Sequence, residues 1–453
     1  VTYGAPDRTR ARVFELVSRH GFNATAFQTL EPGYSYYFAD DACVAYVDTG
    51  RAWVVAGAPI AAPERIGEVA TEFAARARAR GKRCCFFATE ERLQSAPGAN
   101  LRSLRLGEQP IWDPTRYAEM LAGHRSLREQ LRRARAKGVT VRKLGPEEIH
   151  DLDTREAISI AVRRWLATRD MAPLHFLVQV DPFAFAEHRA TFVAERGGAL
   201  VGFASVVPVP ARAGWFLEDL VRTPDAPNGT NELLVDGVMR WAGSAGCRWL
   251  TLGLAPLAGK VAKPLAAARK GSSFLYDFDG LRRFKAKLKP DSWSPIYLSY
   301  PPSQGPFVSL LDALVAFTRG GFLRFGLRSL LRGPSSVLHA LTLLLVPWTI
   351  VLSSAPAERW FGSPTVKYAW ASFDVLLFFA LLFVLRRPTP KALALLAGAV
   401  TLDATLTLLQ ALVFNLPRAE GVLDYAIISV ACTGPTLAAV VLWGAHRTHL
   451  LRR

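Results

Sequence analysis

The chain has 453 residues, with 55 Lys and Arg against 38 Asp and Glu, a formal net charge of +17; half of its residues are hydrophobic and 21% are charged. That apolar content excludes a disordered chain, and the length excludes a small module that needs disulfide staples to fold. Charges crowd the first 333 residues, while residues 334–453 carry four long apolar runs, the pattern of a soluble basic head on a membrane tail.

The N-terminal stretch beginning Val1-Thr2-Tyr3 has no apolar signal core. The five cysteines, Cys43, Cys84, Cys85, Cys247 and Cys432, show no C-x-x-C or Cys/His zinc spacing. A head that begins folded and keeps reduced, buried thiols is expected in the cytoplasm, with no metal. Residues 34–47 read as a hairpin. A short apolar strand around Trp53 then leads through a Pro-containing loop to an Ala/Arg-rich amphipathic helix, which Gly81 stops before a second apolar strand. The same order returns later. A hairpin over 191–207 turns at Gly197-Gly198, a strand follows around Trp215, and a helix stops at Gly246 before Trp249-Leu-Thr-Leu-Gly-Leu254. One unit used twice predicts two mixed α/β units packed as a pseudo-dimer, residues 1–120 and 121–305.

Within the second unit, Ser126–Lys137 places Arg128, Arg132, Arg133, Arg135 and Lys137 against Glu129 alone. Such a helix suits nucleic-acid or lipid phosphates; an ordinary solvated surface helix is the other reading. The stretch Glu195-Arg-Gly-Gly-Ala-Leu-Val-Gly-Phe-Ala204 is similar to the hairpin before the central strand of acetyl-CoA-dependent N-acetyltransferases. The loop Arg222-Thr-Pro-Asp-Ala-Pro-Asn-Gly-Thr-Asn231 departs from their pyrophosphate turn. It has one glycine where two are wanted, and its prolines remove N–H donors. CoA is therefore not expected.

Three strings in order, Asp219-Leu-Val-Arg222 through Asn228-Gly-Thr230, Leu252-Gly-Leu-Ala-Pro-Leu-Ala258, and Gly280-Leu-Arg-Arg-Phe-Lys-Ala-Lys287, precede Trp293 and Tyr297. Together with the basic helix they resemble the catalytic domain of bacterial phosphatidylglycerol lysyltransferases and related aminoacyl-phosphatidylglycerol synthases, over roughly residues 15–300. The resemblance implies two tandem N-acetyltransferase-like units that move an amino acid, lysine-like, from aminoacyl-tRNA to a lipid hydroxyl. It implies phosphatidylglycerol and the bilayer as partners and no cofactor. Large members carry many spans ahead of this domain, whereas here the apolar runs follow it.

Carried onto this chain, Glu218 and Asp219 hold an ammonium group or act as general base, and Arg222, Lys285 and Lys287 bind phosphate or a developing oxyanion. Asn228 and Thr230 present dipoles at a helix start, Glu232 stands where the family has aspartate, and the basic helix meets the tRNA acceptor stem. Without the resemblance, Asp219 and Arg222 also read as a local ion pair, and Asn228-Gly229 as a turn with a helix cap. No Ser-His-Asp order, P-loop or Rossmann fingerprint occurs in the sequence. Two rivals stand beside aminoacyl transfer: an acyl-CoA-dependent acyltransferase, and a non-catalytic membrane-anchored binder of RNA or anionic lipid.

Residues 306–333 mix apolar residues with Arg319, Arg324, Arg328 and Arg332, which suits an interfacial helix broken at Gly320-Gly321. The runs at 337–355, 368–385, 392–416 and 422–445 are long enough to span a bilayer, making 334–453 an all-α four-helix membrane domain. Basic segments at 386–391 and 446–453 place those ends on the side of the head, the cytoplasm. Asp374 and Asp403 fall inside spans, Asp374 nearer an end.

Overall fold

The computed structural model describes residues 8–259, 261, 278–318 and 320–452. They form two compact units: a sheet unit of residues up to 165 and 173–322, and a helical unit of residues 166–172 and 323 onward.

Twelve strands make one sheet: β1 (Ser35–Ala39), β2 (Ala42–Asp48), β3 (Ala52–Ala56), β4 (Arg83–Thr89), β5 (Arg102–Trp112), β6 (Val139–Lys143), β7 (Ala190–Arg196), β8 (Ala199–Val209), β9 (Gly214–Arg222), β10 (Leu250–Thr251), β11 (Ala255–Pro256) and β12 (Ser292–Tyr300). Their order is β1-β2-β3-β4-β12-β5-β10-β9-β8-β7-β6, with β11 beside β5. Each repeat is an antiparallel meander followed by a helix and a parallel strand: β3 with β4, and β9 with β10. The last strands are exchanged. β5 of the first repeat lies against β10, β12 of the second lies against β4, and the two pair with each other from Ser292↔Ile111 to Tyr300↔Arg102. The two expected units are present, but as halves of one sheet rather than two separate layers. Exchanging the closing strands satisfies backbone groups that would otherwise be open edges at the centre.

Strand alternation divides the first repeat between two cores. Trp53 and Val55, with Cys84 and Phe86, face the stripe Ile66, Val69, Ala70, Phe73 and Ala77 of the helix Ile66–Ala79. Val54, Ala56 and Cys85 pack instead with Phe176, Ala313 and Ala316, so the adjacent cysteines serve opposite faces. In the second repeat the helix Thr230–Ser244 packs Leu234, Val238 and Met239 against β7 and β8. The helix Arg8–His20 and the 3₁₀ segment Ala24–Leu30 bury Val13, Leu16, Phe27 and Leu30 against Val207, Val209 and Phe216.

The expected interfacial segment is divided. Pro306–Phe317 belongs to the sheet unit, where Asp312 accepts two bonds from Arg83 at 2.6 Å each. Arg319 lies outside the described residues. Phe322–Leu330 exposes Leu323 and Leu327 beside Arg324 and Arg328. Among the described residues, four helices are long and apolar enough to cross a membrane: Ser335–Ser354, Pro364–Arg386, Pro390–Arg418 and Val422–Leu451. The second starts at Pro364 behind a Ser363 cap, earlier than the apolar run suggests. Asp374, like Asp403, therefore sits buried near the middle of its helix rather than near an end. Threonines along these helices, including Thr342, Thr349 and Thr401, return their hydroxyls to carbonyls four residues back, which satisfies them without water.

The seam between the halves is tightly packed. A Cβ on Gly107 of β5 would lie 2.3 Å from the Ala255 carbonyl oxygen. Gly107→Ala is expected to destabilise the protein by about 1–3 kcal/mol, seen as a lower midpoint in thermal unfolding. Gly123→Ala, which meets nothing within 4 Å, is not.

Candidate active site

Strand β9 carries the site because it is irregular twice. Opposite β8 the register shifts between Ser205 and Val206, so Asp219 pairs with Ser205, Leu217 pairs with Val206, and Glu218 is the extra residue. This bulge removes the alternation that would send consecutive side chains to opposite faces. On its other side β9 pairs with β10 only at Trp215 and Phe216. The predicted apolar strand through Leu254 thus keeps only two paired residues. The chain then peels away, and Lys285 of the helix Phe278–Lys287 donates from Nζ to the carbonyls of Leu252, Gly253 and Leu254 at 2.7, 2.8 and 2.9 Å. Burial pulls this ammonium down to about 7. Lys285 thus ties down the departing strand.

Glu218 and Asp219 enter a buried acidic chamber around Arg189. The guanidinium donates to the Ala184 carbonyl at 2.6 Å, to Ser205 Oγ at 3.3 Å and to Glu218, and lies 3.5 Å from Glu31. Arg189, Glu31 and Glu218 side chains are 1%, 6% and 4% exposed, and Asp219 is also buried. One oxygen each of Glu31, Glu218 and Asp219 is buried without a hydrogen-bond partner among the described residues. Burial first, and then the negative charge of Glu218, push Glu31 up to about 9 against the pull of Arg189. The same causes raise Asp219 well above the usual carboxylate range. Three carboxyl groups share one guanidinium, so burial favours protons on the carboxyl groups that the guanidinium does not neutralise.

Three residues further along β9, about 10 Å by strand rise, Arg222 faces a different space. An open cavity of about 390 Å³ is lined by Gln130, Arg222, Asn228, Gly229, Asn231, Glu232, Phe284 and Lys287. Arg222 reaches the Ala226 carbonyl and Asn228 Oδ1, each at 3.5 Å. Glu232 accepts from Gln130 at 2.6 Å and from Lys287 at 3.1 Å. Gly229 holds φ +102°, and a Cβ there would lie 2.8 Å from Ala134 Cβ; only glycine lets the helix Thr230–Ser244 begin this close to the basic helix. Thr230 is buried, its hydroxyl turned back to the Pro227 carbonyl at 2.7 Å. A helix N-terminus flanked by Arg222 and Lys287 has the chemistry of an anion site.

The basic helix, Arg125–Ala136, packs Leu127, Leu131 and Ala134 inward. Arg128 donates to the carbonyls of Leu121 and Ala122, Arg132 pairs with Glu129 at 3.0 Å, and Arg135 with Asp236 at 2.6 Å. Arg133 and Lys137 are exposed, share the face of Gln130 by helical spacing, and have no ion pair among the described residues. The structure therefore collects Glu218 and Asp219 in the chamber, and Arg222, Asn228, Glu232 and Lys287 in the cavity; Lys285 and Thr230 lie in neither. Glu31, Arg189, Gln130 and Asn231 were not foreseen. The one sequence signal was an arginine at the head of the buried strand Ala190–Ala194.

Residues 14–300 match the family described as phosphatidylglycerol lysyltransferase, C-terminal. A phosphatidylglycerol lysyltransferase of Bacillus subtilis is 26% identical over 314 residues, 66% of this chain and 36% of the relative. A lysylphosphatidylglycerol biosynthesis bifunctional protein of Mycolicibacterium gilvum is 28% identical over 45% of this chain and 19% of its own length. The chain thus spans about a third or less of these relatives. Among solved structures, the C-terminal domain of a putative lysylphosphatidylglycerol synthetase from Agrobacterium fabrum superposes with TM-score 0.60 at 25% identity, covering 70% of this chain and 99% of that one. The Bacillus licheniformis L-PGS structure shares the fold, with TM-score 0.59 at 21% identity and the same coverage.

The chamber makes stability depend on pH. Unfolded Glu31 releases its proton near 4.5, whereas the folded protein keeps it up to about 9. Between those values the unfolded state binds fewer protons, so stability falls as pH rises. Glu31→Gln is expected to flatten that fall and to raise the melting temperature most at the alkaline end of the window. Thermal unfolding across pH checks this, and an unchanged profile would separate Glu31 from the chamber's titration.

Proposed function

The chain belongs to the family of the phosphatidylglycerol lysyltransferase C-terminal domain, and we propose that it transfers a lysine-type amino acid from aminoacyl-tRNA to a glycerol hydroxyl of phosphatidylglycerol at the cytoplasmic face of a membrane. The observation that carries this reading is the pairing, along one strand, of a buried chamber with excess carboxylate and an open cavity with cationic walls.

In this reading the ammonium groups of the amino acid enter the chamber, against Glu218, Asp219 and Glu31, and displace the protons that burial keeps there. Arg222, Lys287 and the N-terminus of the helix Thr230–Ser244 hold phosphate in the cavity. The lipid hydroxyl oxygen attacks the aminoacyl ester carbonyl, and the oxyanion that develops is stabilised by Arg222. The hydroxyl proton passes to the ribose oxygen of the tRNA as that bond breaks. One ester replaces another, so the transfer needs no further activation. A lysyl ester adds two ammonium groups to a headgroup with one phosphate charge, which reduces the attraction of cationic peptides to the surface.

Transfer is tested with purified protein, phosphatidylglycerol vesicles and tRNA charged with labelled amino acids. Label is expected in extracted lipid with lysine above other amino acids, abolished by RNase, and reduced about 10²-fold or more by Arg222→Ala or Asp219→Asn. Lipid left unlabelled by every amino acid, with CoA bound instead, would replace this reading with acyl-CoA chemistry.

The exposed pair Arg133 and Lys137 supplies the tRNA contact. Reversing both to Glu should weaken tRNA binding and reduce the slope of log affinity against log salt by about 1 per lost contact. Reversal at Arg132, already held by Glu129, should do less.

A further inference from the structure

We propose that the helix Pro306–Phe317 docks the sheet unit onto the bilayer, with its outer face entering the acyl layer. A surface helix of a water-soluble unit turns polar residues outward and apolar residues inward. This helix does the reverse. Its polar side chains, Ser309 and Asp312, are buried. Ser309 Oγ donates back to the Gly305 carbonyl at 3.1 Å, and Asp312 is taken by the Arg83 fork. The residues it exposes are Pro306, Phe307, Val308, Leu311 and Leu314, with Phe307 70% exposed. Phe307, Leu311 and Leu314 stand at i, i+4 and i+7, so they form one stripe. None of the exposed side chains can donate or accept a hydrogen bond.

The inner face fixes the helix on the sheet, so the stripe cannot turn away from its surroundings. Ala313 and Ala316 pack with Val54, Ala56 and Cys85, and Phe317 meets Phe87 and Phe176 edge-on, with ring centroids 5.1 and 5.2 Å apart. The His175 amide donates to the Phe317 carbonyl at 3.2 Å. What covers the stripe follows from the chain itself. The helix ends at Phe317, and the first of the four long apolar helices starts at Ser335. The connection includes the helix Phe322–Leu330, so its full extension is about 40 Å. A face tethered that closely meets the bilayer at high effective concentration. A protein partner brings a polar rim and hydrogen bonds, for which the stripe offers no side chain, whereas acyl chains need none. The stripe is also uncharged, unlike the next helix with Arg324 and Arg328, so its docking does not depend on anionic headgroups.

The full chain is reconstituted in phosphatidylcholine vesicles with a nitroxide on one introduced cysteine: Phe307→Cys, Leu311→Cys or Leu314→Cys. Each is made in a Cys432→Ser background, the other four cysteines being buried. Ala75→Cys, exposed on the helix Ile66–Ala79, is the reference in water. Electron paramagnetic resonance reads collisions of each nitroxide with oxygen, which enters lipid, and with a hydrophilic nickel complex, which does not. The oxygen-to-nickel ratio on the stripe is expected to exceed that at Ala75 about tenfold, and to stay the same when phosphatidylglycerol is added. A ratio equal to the reference leaves the stripe in water and overturns the docking. Few collisions with either reagent mark a protein cover, a second copy included, and overturn lipid as the occupant. A ratio that rises only with phosphatidylglycerol overturns insertion in favour of headgroup attraction. Should the cysteine variants not fold, the parent decides: a diazirine-bearing acyl chain must label residues 306–317 and spare 66–79, and unlabelled 306–317 overturns the proposal. No tRNA is needed, so this result stands apart from whether transfer is observed.

Discussion

A guanidinium buried among three carboxyl groups is the interaction on which the sheet unit's chemistry depends. Arg189 is held by a backbone carbonyl and a serine hydroxyl as well as by Glu218, so its position does not rely on the carboxylates alone. Removing one partner from such a group leaves uncompensated buried charge, typically at a cost of about 3–5 kcal/mol. The β9 bulge, the segment that delivers Glu31 and the packing of Ala24–Leu30 against β8 all serve to bring these groups together. Burial keeps protons on Glu31 and Asp219 that the same groups would release in water, and so limits the negative charge that faces Arg189.

The two repeats have diverged around this feature. Counted from Trp53 and Trp215, the positions of Glu218 and Asp219 are occupied in the first repeat by Ala56 and Gly57. Gly57 has φ +73°, and a Cβ there would lie 2.6 Å from Thr25 Oγ1, so the N-terminal segment lies close against the position that carries Asp219 in the second repeat. The first repeat contributes Glu31 and one closing strand instead of a site of its own. Strand exchange makes that division workable: β5 and β12 bind the halves through a continuous ladder, and the second repeat keeps its splayed, poorly paired β9 edge without a free sheet edge at the centre.

Charge is used differently at different depths. In the sheet unit cations are spent on partners: Arg128 on the end of a helix, Arg135 on Asp236, Lys285 on three carbonyls. Arg133 and Lys137 are exposed, with no ion pair among the described residues. In the helical unit charged side chains gather towards the helix ends, and the buried exceptions are Asp374 and Asp403 near mid-helix, where a carboxyl group is expensive.

Much of this was readable in the residues. The repeat followed from two strands, a helix and a stopping glycine recurring in the same order, because strand and helix periods are local properties of the chain. The four long helices followed from run length, and β9 with its Glu218-Asp219 pair and Arg222 from the motif. Other features were decided by tertiary structure alone. Strand exchange pairs residues far apart in sequence, and the pattern of β12 does not state its neighbour. Arg189 and Glu31 belong to the site only because a bulge and a 3₁₀ segment bring them there. Lys285 and Lys287, two residues apart on one helix, diverge into a buried clamp and a cavity wall because a two-residue step turns a side chain by about 200° around a helix. Sequence determined which residues carry charge; packing determined which of those charges were left for a ligand.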